Sequence, residues 1–277
     1  MKSLQTGLLL FTGLAGYVSA CCPVHNFPTI LGLTGSLFLA ISGATVLNMV
    51  YDRDIDAKMD RTCLRPLPAG IVQPREALIL GSAIGLTGIG WAWIIDDLYG
   101  LVIFAGFFVD LVVYTMLLKR RTAWAVVWGG IAGGMPVLAG RVLAVGAIDW
   151  VGIALMFTVI FWIPTHIMTI NFRYQEDYVR AGISTFPQRY GVRLTQRVIA
   201  LSAILATLAM CISAVGIGLT WGYLRLLIIL SAGLFLFATC ALIRPSSRMN
   251  FGLFKYASLY MLGSMLLFTI EGIYAIR

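Results

Sequence analysis

Charge is what this chain has least of. Only 12% of its 277 residues are Asp, Glu, Lys or Arg, against about 25% in an ordinary soluble domain. From Ser3 to Tyr51 there is none. There are two histidines, and the five cysteines (Cys21, Cys22, Cys63, Cys211, Cys240) contain no C-x-x-C pair. A zinc site of the usual spacing and a disulfide scaffold are thereby excluded, and the cysteines read as small apolar filler. What is abundant instead is apolar: 60% of the residues are hydrophobic, with a mean hydropathy of +0.91. A disordered chain and a typical cytosolic enzyme do not have this composition. The fold class it predicts is an all-α polytopic membrane protein.

A helix needs about 20 mostly apolar residues to cross a bilayer. The charge-free stretch has room for two such spans, separated by the Pro- and Asn-containing turn Cys21–Pro28. Its first part, with Lys2 and the run Leu8 to Val18, also has the outline of a leader peptide, but reads better as a span in a chain with so many more. Seven further spans fall at about 76–95, 98–118, 122–142, 148–172, 194–217, 222–243 and 253–275. Nine transmembrane helices are expected, all within a single domain covering 1–277.

The net charge of +8 does not point to nucleic acid, because the 20 basic residues sort by topology. With the N-terminus inside, seventeen fall on the inner side and only Arg141, Arg225 and Arg277 on the outer. Such a bias is the positive-inside rule, and predicts a cytoplasmic N-terminus and an external C-terminus in a cell membrane.

Two inner-side loops are long, and together they hold six of the twelve acids. In the first, Asn48 to Gly70, the residues Asn48, Asp52 and Asp56 recur at i, i+4 and i+8. If the second span continues as helix, all three face one way. Stacked oxygen donors repel unless a cation lies between them, and hard oxygens suit Mg²⁺, which completes its shell with water and substrate phosphate. A diphosphate substrate is the expectation. Arg61, Arg65 and the Lys119–Arg121 run follow on the same side, although each basic residue alone is explained by topology. Guanidinium forks match phosphate oxygens. The second loop, Asn171 to Pro187, offers Glu176 and Asp177 with Arg173 nearby, and opposed to the first stripe it would supply a second cation site. Within the spans, Asp110 and His166 are functional candidates because ionisable groups in a membrane usually face a cavity or a partner.

Asn48-x-x-x-Asp52-x-x-x-Asp56, followed by Arg61-Thr62 and Arg65-Pro66-Leu67-Pro68-x-Gly70, resembles the UbiA superfamily of intramembrane prenyltransferases. The run Asn48 to Thr62 is most similar to the protoheme IX farnesyltransferase (heme O synthase) branch. Trp162-Ile-Pro-Thr-His166 and Asp177-Tyr178-x-x-Ala181-Gly182-Ile183 agree with it. The resemblance implies nine helices around a central cavity capped on the cytoplasmic side. It implies Asn48, Asp52 and Asp56 in a first Mg²⁺-diphosphate motif, with Glu176 and Asp177 in a second. Arg61, Arg65 and Lys119 would meet the diphosphate. His166 would lie near the acceptor, and Tyr114, Arg173 and Tyr178 would line the substrate site. Tyr174 and Tyr178 stand where many relatives carry the second D-x-x-x-D, a change shared by the heme branch. The chain departs from that branch at His166-Ile167-Met168 and at Ser184-Thr185-Phe186-Pro187.

The implied reaction is Mg²⁺-dependent transfer of farnesyl from farnesyl diphosphate to a vinyl group of heme b. A quinone precursor, a chlorophyll-type ring and a glyceryl lipid stay open as acceptors within the same chemistry. A transporter is a third possibility, disfavoured because both charged clusters lie on one side and no inverted repeat is evident.

Overall fold

The computed structural model describes residues 3–20 and 27–274. All regular elements among them are helical: α1 (Ser3–Val18), α2 (Phe27–Tyr51), α3 (Arg53–Asp56), α4 (Pro74–Ile95), α5 (Asp97–Phe108) continuing as a π-helix over Val109–Leu118, α6 (Ala125–Val145), α7 (Trp150–Arg173), α8 (Gln175–Arg180), α9 (Phe186–Tyr190), α10 (Val192–Ile217), α11 (Trp221–Ile243) and α12 (Ser247–Tyr274). Cys21, Cys22 and His25 of the predicted turn lie outside the described residues, as do Lys2 and Arg277.

Among the described residues the predicted spans fall on nine helices: α1, α2, α4, α5 with its π-helical continuation, α6, α7, α10, α11 and α12. Eight of these are long and apolar enough to cross a membrane, which makes the chain a multi-pass membrane protein. The expected ninth is α1, whose 16 described helical residues extend about 24 Å at ~1.5 Å per residue, short of a ~30 Å hydrocarbon core. Several of the span ends have a local cause. Asp96 accepts a bond from Tyr99 N–H at the start of α5, and Asp149 does the same for Gly152 N–H at the start of α7, both at 2.8 Å. Helix N-termini leave such donors free, and carboxylates satisfy them.

Between apolar helices in lipid, packing is the main attraction, so small residues mark the tightest contacts. At Gly43 of α2 a Cβ would run into the backbone of Gly85 on α4. At Gly140 of α6 it would strike the backbone of Gly13 on α1. Two apolar cores result. One joins α1, α2, α4, α5 and α6 around Leu33, Tyr99 and Val142. The other joins α1, α6, α7, α10, α11 and α12 around Leu155, Met210 and Phe268. Two buried tyrosines in them pair with a serine on a neighbouring helix, Tyr99 with Ser36 at 2.8 Å and Tyr260 with Ser231 at 2.9 Å.

The two long loops close one end of the bundle. Ile55, Met59, Ala181 and Ile183 form a small apolar cluster of their own, with Tyr178 against it. Arg180 bridges to Asp60 at 2.6 Å, which ties the second loop to the first.

At the opposite end, buried Arg141 donates to the Ser19 carbonyl at 2.8 Å and to Asp149 at 2.7 Å. One guanidinium thus joins the end of α1 to the turn between α6 and α7. Arg141→Met removes the positive partner of a largely buried pair, a loss of about 3 kcal/mol. The expected outcome is a melting temperature in detergent several degrees lower; an unchanged one would show that this clamp contributes nothing.

Candidate active site

Beneath the loop cap, between the two cores, lies a cavity of about 760 Å³. Its deep walls are apolar, with Ile103, Phe107, Met135, Val159 and Met265 among them, and its polar groups gather at the capped end.

The Asn48, Asp52, Asp56 stripe is built as its spacing requires. The N–H of Asp52 bonds to the carbonyl of Asn48 at 2.9 Å, and that of Asp56 to the carbonyl of Asp52 at 2.8 Å. α2 therefore runs into α3 with its helical phase kept. All three side chains line the cavity, and they are 7%, 5% and 6% exposed. Polar and charged groups this buried need partners, and each finds one. Asn48 Nδ2 donates to Asp110 Oδ2 at 2.8 Å. Lys119 Nζ is ion-paired with Asp52 Oδ2. Arg65 Nη1 meets Asp56 Oδ2 at 2.7 Å. Burial works against the Lys119 charge, but Tyr114 and the Asp52 carboxylate together outweigh it and hold the ammonium above the ordinary lysine value.

Even so, Asn48 Oδ1 and Asp52 Oδ1 are buried without a hydrogen-bond partner. Orphaned oxygens are costly and rare. Two of them on successive turns, beside a cavity, make a donor set that fits a hard divalent cation. By contrast Asp54, on the outer face of α3, pairs with Arg120 at 2.7 Å. That hydrogen bond holds its carboxyl below the usual range.

Lys119 and Asp110 reach the same cavity because of the π-helix. They are nine residues apart, which in an α-helix is 2.5 turns and hence opposite faces. π-Helical i→i+5 bonding winds more residues into each turn. Asp110, Tyr114 and Lys119, spaced by four and five, accordingly all line the cavity. Thr115 Oγ1 donates to the Asp110 carbonyl, five residues back, at 2.8 Å.

On the facing side, His166 of α7 stacks on Trp162 at 4.8 Å and tilts against Phe254 at 4.9 Å between ring centroids. Its Nδ1 is buried and unpartnered. Tyr178 also lines the cavity. Arg61 does so from the loop, its guanidinium 5.0 Å above the Tyr174 ring.

Three predicted residues are not brought to this cavity. The helix breaks at Tyr174, and α8 carries Glu176 into solvent. Asp177 is buried, but its carboxylate accepts from Arg180 at 2.6 Å. Arg173 is exposed and lies over Tyr174 at 5.7 Å. Neither acid therefore faces the first stripe across the cavity, where a second cation site was expected. In its place Asn171, buried, and Tyr178 line the cavity. Asn171 was not singled out in the sequence; its signal is an amide at the end of a span, seven residues before Tyr178.

Residues 9–259 match the family described as the UbiA prenyltransferase family. A similar protein from Archaeoglobus fulgidus, named protoheme IX farnesyltransferase, is 43% identical over 213 residues, which cover 77% of this chain and 73% of that one. Among solved structures, one from work on digeranylgeranylglyceryl phosphate synthase has a TM-score of 0.80 at 18% identity, covering 99% of this chain and 100% of the other. A UbiA homologue from Archaeoglobus fulgidus bound to DMAPP and Mg²⁺ has a TM-score of 0.68 at 15% identity, covering 96% and 97%.

The placement of the second loop separates neighbouring residues by experiment. Glu176→Ala is expected to leave prenyl transfer within about two-fold of wild type, as a surface change does. Tyr178→Ala, opening the cavity wall, is expected to lower it by about ten-fold or more. Equal losses in the two variants, assayed side by side, would contradict this placement.

Proposed function

Since the chain belongs to the UbiA prenyltransferase family, we propose that it transfers a farnesyl group from farnesyl diphosphate to a vinyl group of heme b, making heme O. The observation that carries this reading is the pair of bare oxygens on Asn48 and Asp52 beneath a basic rim. The 43% identity to a protoheme IX farnesyltransferase supports the acceptor.

In this reading residues 1–277 act as one domain in the cell membrane, with the loop cap and the N-terminus cytoplasmic and the C-terminus outside. Asn48, Asp52 and Asp56 hold Mg²⁺, which when bound neutralises charge growing on the diphosphate. Lys119, Arg61 and Arg65 supply positive charge to the diphosphate oxygens. Lys119 and Arg65 meanwhile neutralise Asp52 and Asp56, so the site stays balanced before substrate arrives. The bond between C1 of farnesyl and the diphosphate oxygen breaks, and the electron pair leaves with the diphosphate. The vinyl π electrons form the new carbon–carbon bond to C1. Water then adds to the resulting cation and loses a proton. Tyr114 and Tyr178 place aromatic faces and hydroxyls at the reacting end of the cavity. The apolar walls below them exclude water until the carbon–carbon bond has formed. His166, held flat between Trp162 and Phe254, contacts the porphyrin.

The test is turnover by purified protein in detergent with farnesyl diphosphate, heme b and Mg²⁺, read by mass spectrometry. The product expected is heme heavier by a farnesyl and a hydroxyl group, and chelation should abolish it. Asp52→Ala or Asp56→Ala should cost at least about 100-fold, whereas Asp54→Asn, on the outer face, should cost less than about two-fold. Mg²⁺-dependent diphosphate turnover without a heme product would replace the acceptor and keep the chemistry. Full activity of the Asp52 variant would overturn the metal assignment.

A further inference from the structure

The amide of Asn48 has two ends of nearly equal size and opposite chemistry. Its oxygen can ligate a cation, and its nitrogen, a donor only, cannot. Both orientations fit the same space, so something must choose between them. The choice falls to Asp110, a carboxylate inside the membrane-spanning part of the bundle, where an acid is costly and needs a reason to be there.

We infer that Asp110 is a positioning residue for the metal–diphosphate site. By accepting from Asn48 Nδ2 at 2.8 Å, it turns Asn48 Oδ1 toward the cavity beside Asp52. With the amide reversed, Asn48 Oδ1 would face the Asp110 oxygen, acceptor against acceptor, and a nitrogen would stand where the ligand is needed. The outcome is visible in the pattern of satisfaction. Asn48 Nδ2 is paired, while Asn48 Oδ1 is buried and bare, as is Asp52 Oδ1 one turn along. The backbone is arranged for this contact as well. π-Helical winding puts Asp110 on the same side as Lys119, so one segment holds both Asn48 and Asp52. Asp110 thus stands to Asn48 as an outer-shell acceptor stands to a ligating histidine, fixing which atom is offered. This inference rests on the Mg²⁺–diphosphate reading.

The test is binding rather than turnover. Mn²⁺ is titrated into protein with farnesyl diphosphate present, and free Mn²⁺ is followed by electron paramagnetic resonance. Asp110→Asn replaces an acceptor with an amide that serves either orientation of Asn48, and should weaken Mn²⁺ binding by about ten-fold or more. The exchange Asn48→Asp with Asp110→Asn keeps the total charge, and offers the cavity an oxygen in both orientations. It should restore binding to within about three-fold of wild type, which a merely structural defect at Asp110 would not allow. Wild-type affinity in Asp110→Asn, or failure of the exchange to rescue, would overturn the positioning role while leaving the metal reading intact. Absence of diphosphate-dependent Mn²⁺ binding in the wild-type protein would overturn both.

Discussion

Three oxygen-bearing side chains on one helical edge, nearly withdrawn from water, are the constraint to which this structure answers. Asn48, Asp52 and Asp56 could not share a buried stripe without partners, and each has one of a different kind: a carboxylate for the amide, an ammonium and a guanidinium for the two acids. Those partners come from two places distant in sequence, the π-helix with its terminal Lys119 and the first long loop. The chain is therefore obliged to bring α2, the end of α5 and the loop to one point. The cap follows, because the same loop then lies over the cavity and meets the second loop through Met59, Ala181 and Ile183.

The remainder of the fold reads as support for that point. Glycine contacts draw α2 against α4 and α1 against α6, and the space left between the two cores is the cavity. Its apolar depth and polar mouth suit a substrate with a long hydrocarbon tail and a charged head. A histidine held between two aromatic rings fits a flat hydrophobic acceptor at the same place. Chemistry that generates a reactive carbocation needs such walls on every side, and few folds give them as directly as a ring of lipid-facing helices.

Much of this could be read from the sequence. Long apolar runs located the spans, since lipid leaves a helix few alternatives. The i, i+4, i+8 spacing located the stripe, because helical phase persists where nothing breaks it. The second loop was less legible for the same reason: the phase is lost at Tyr174, and after that break Glu176 and Asp177 turn away while Tyr178 turns in. The pairing of Asp110 with Asn48 was hidden, since an α-helical count places Asp110 and Lys119 on opposite faces.

The π-helix has a consequence for how such a chain tolerates change. A π-helix is wound more loosely than an α-helix, so substitutions between Val109 and Leu118 that let the segment wind as α-helix, with no residue lost, would set Asp110 and Lys119 about 2.5 turns apart. Hydropathy would hardly alter, the span would still insert, and the bundle would still pack. Only the azimuth of Lys119 relative to Asp110 would shift, carrying the ammonium toward lipid and leaving Asp52 alone. The winding of the membrane helix is in this sense part of the active site, and a lesion there would be silent in every assay of assembly.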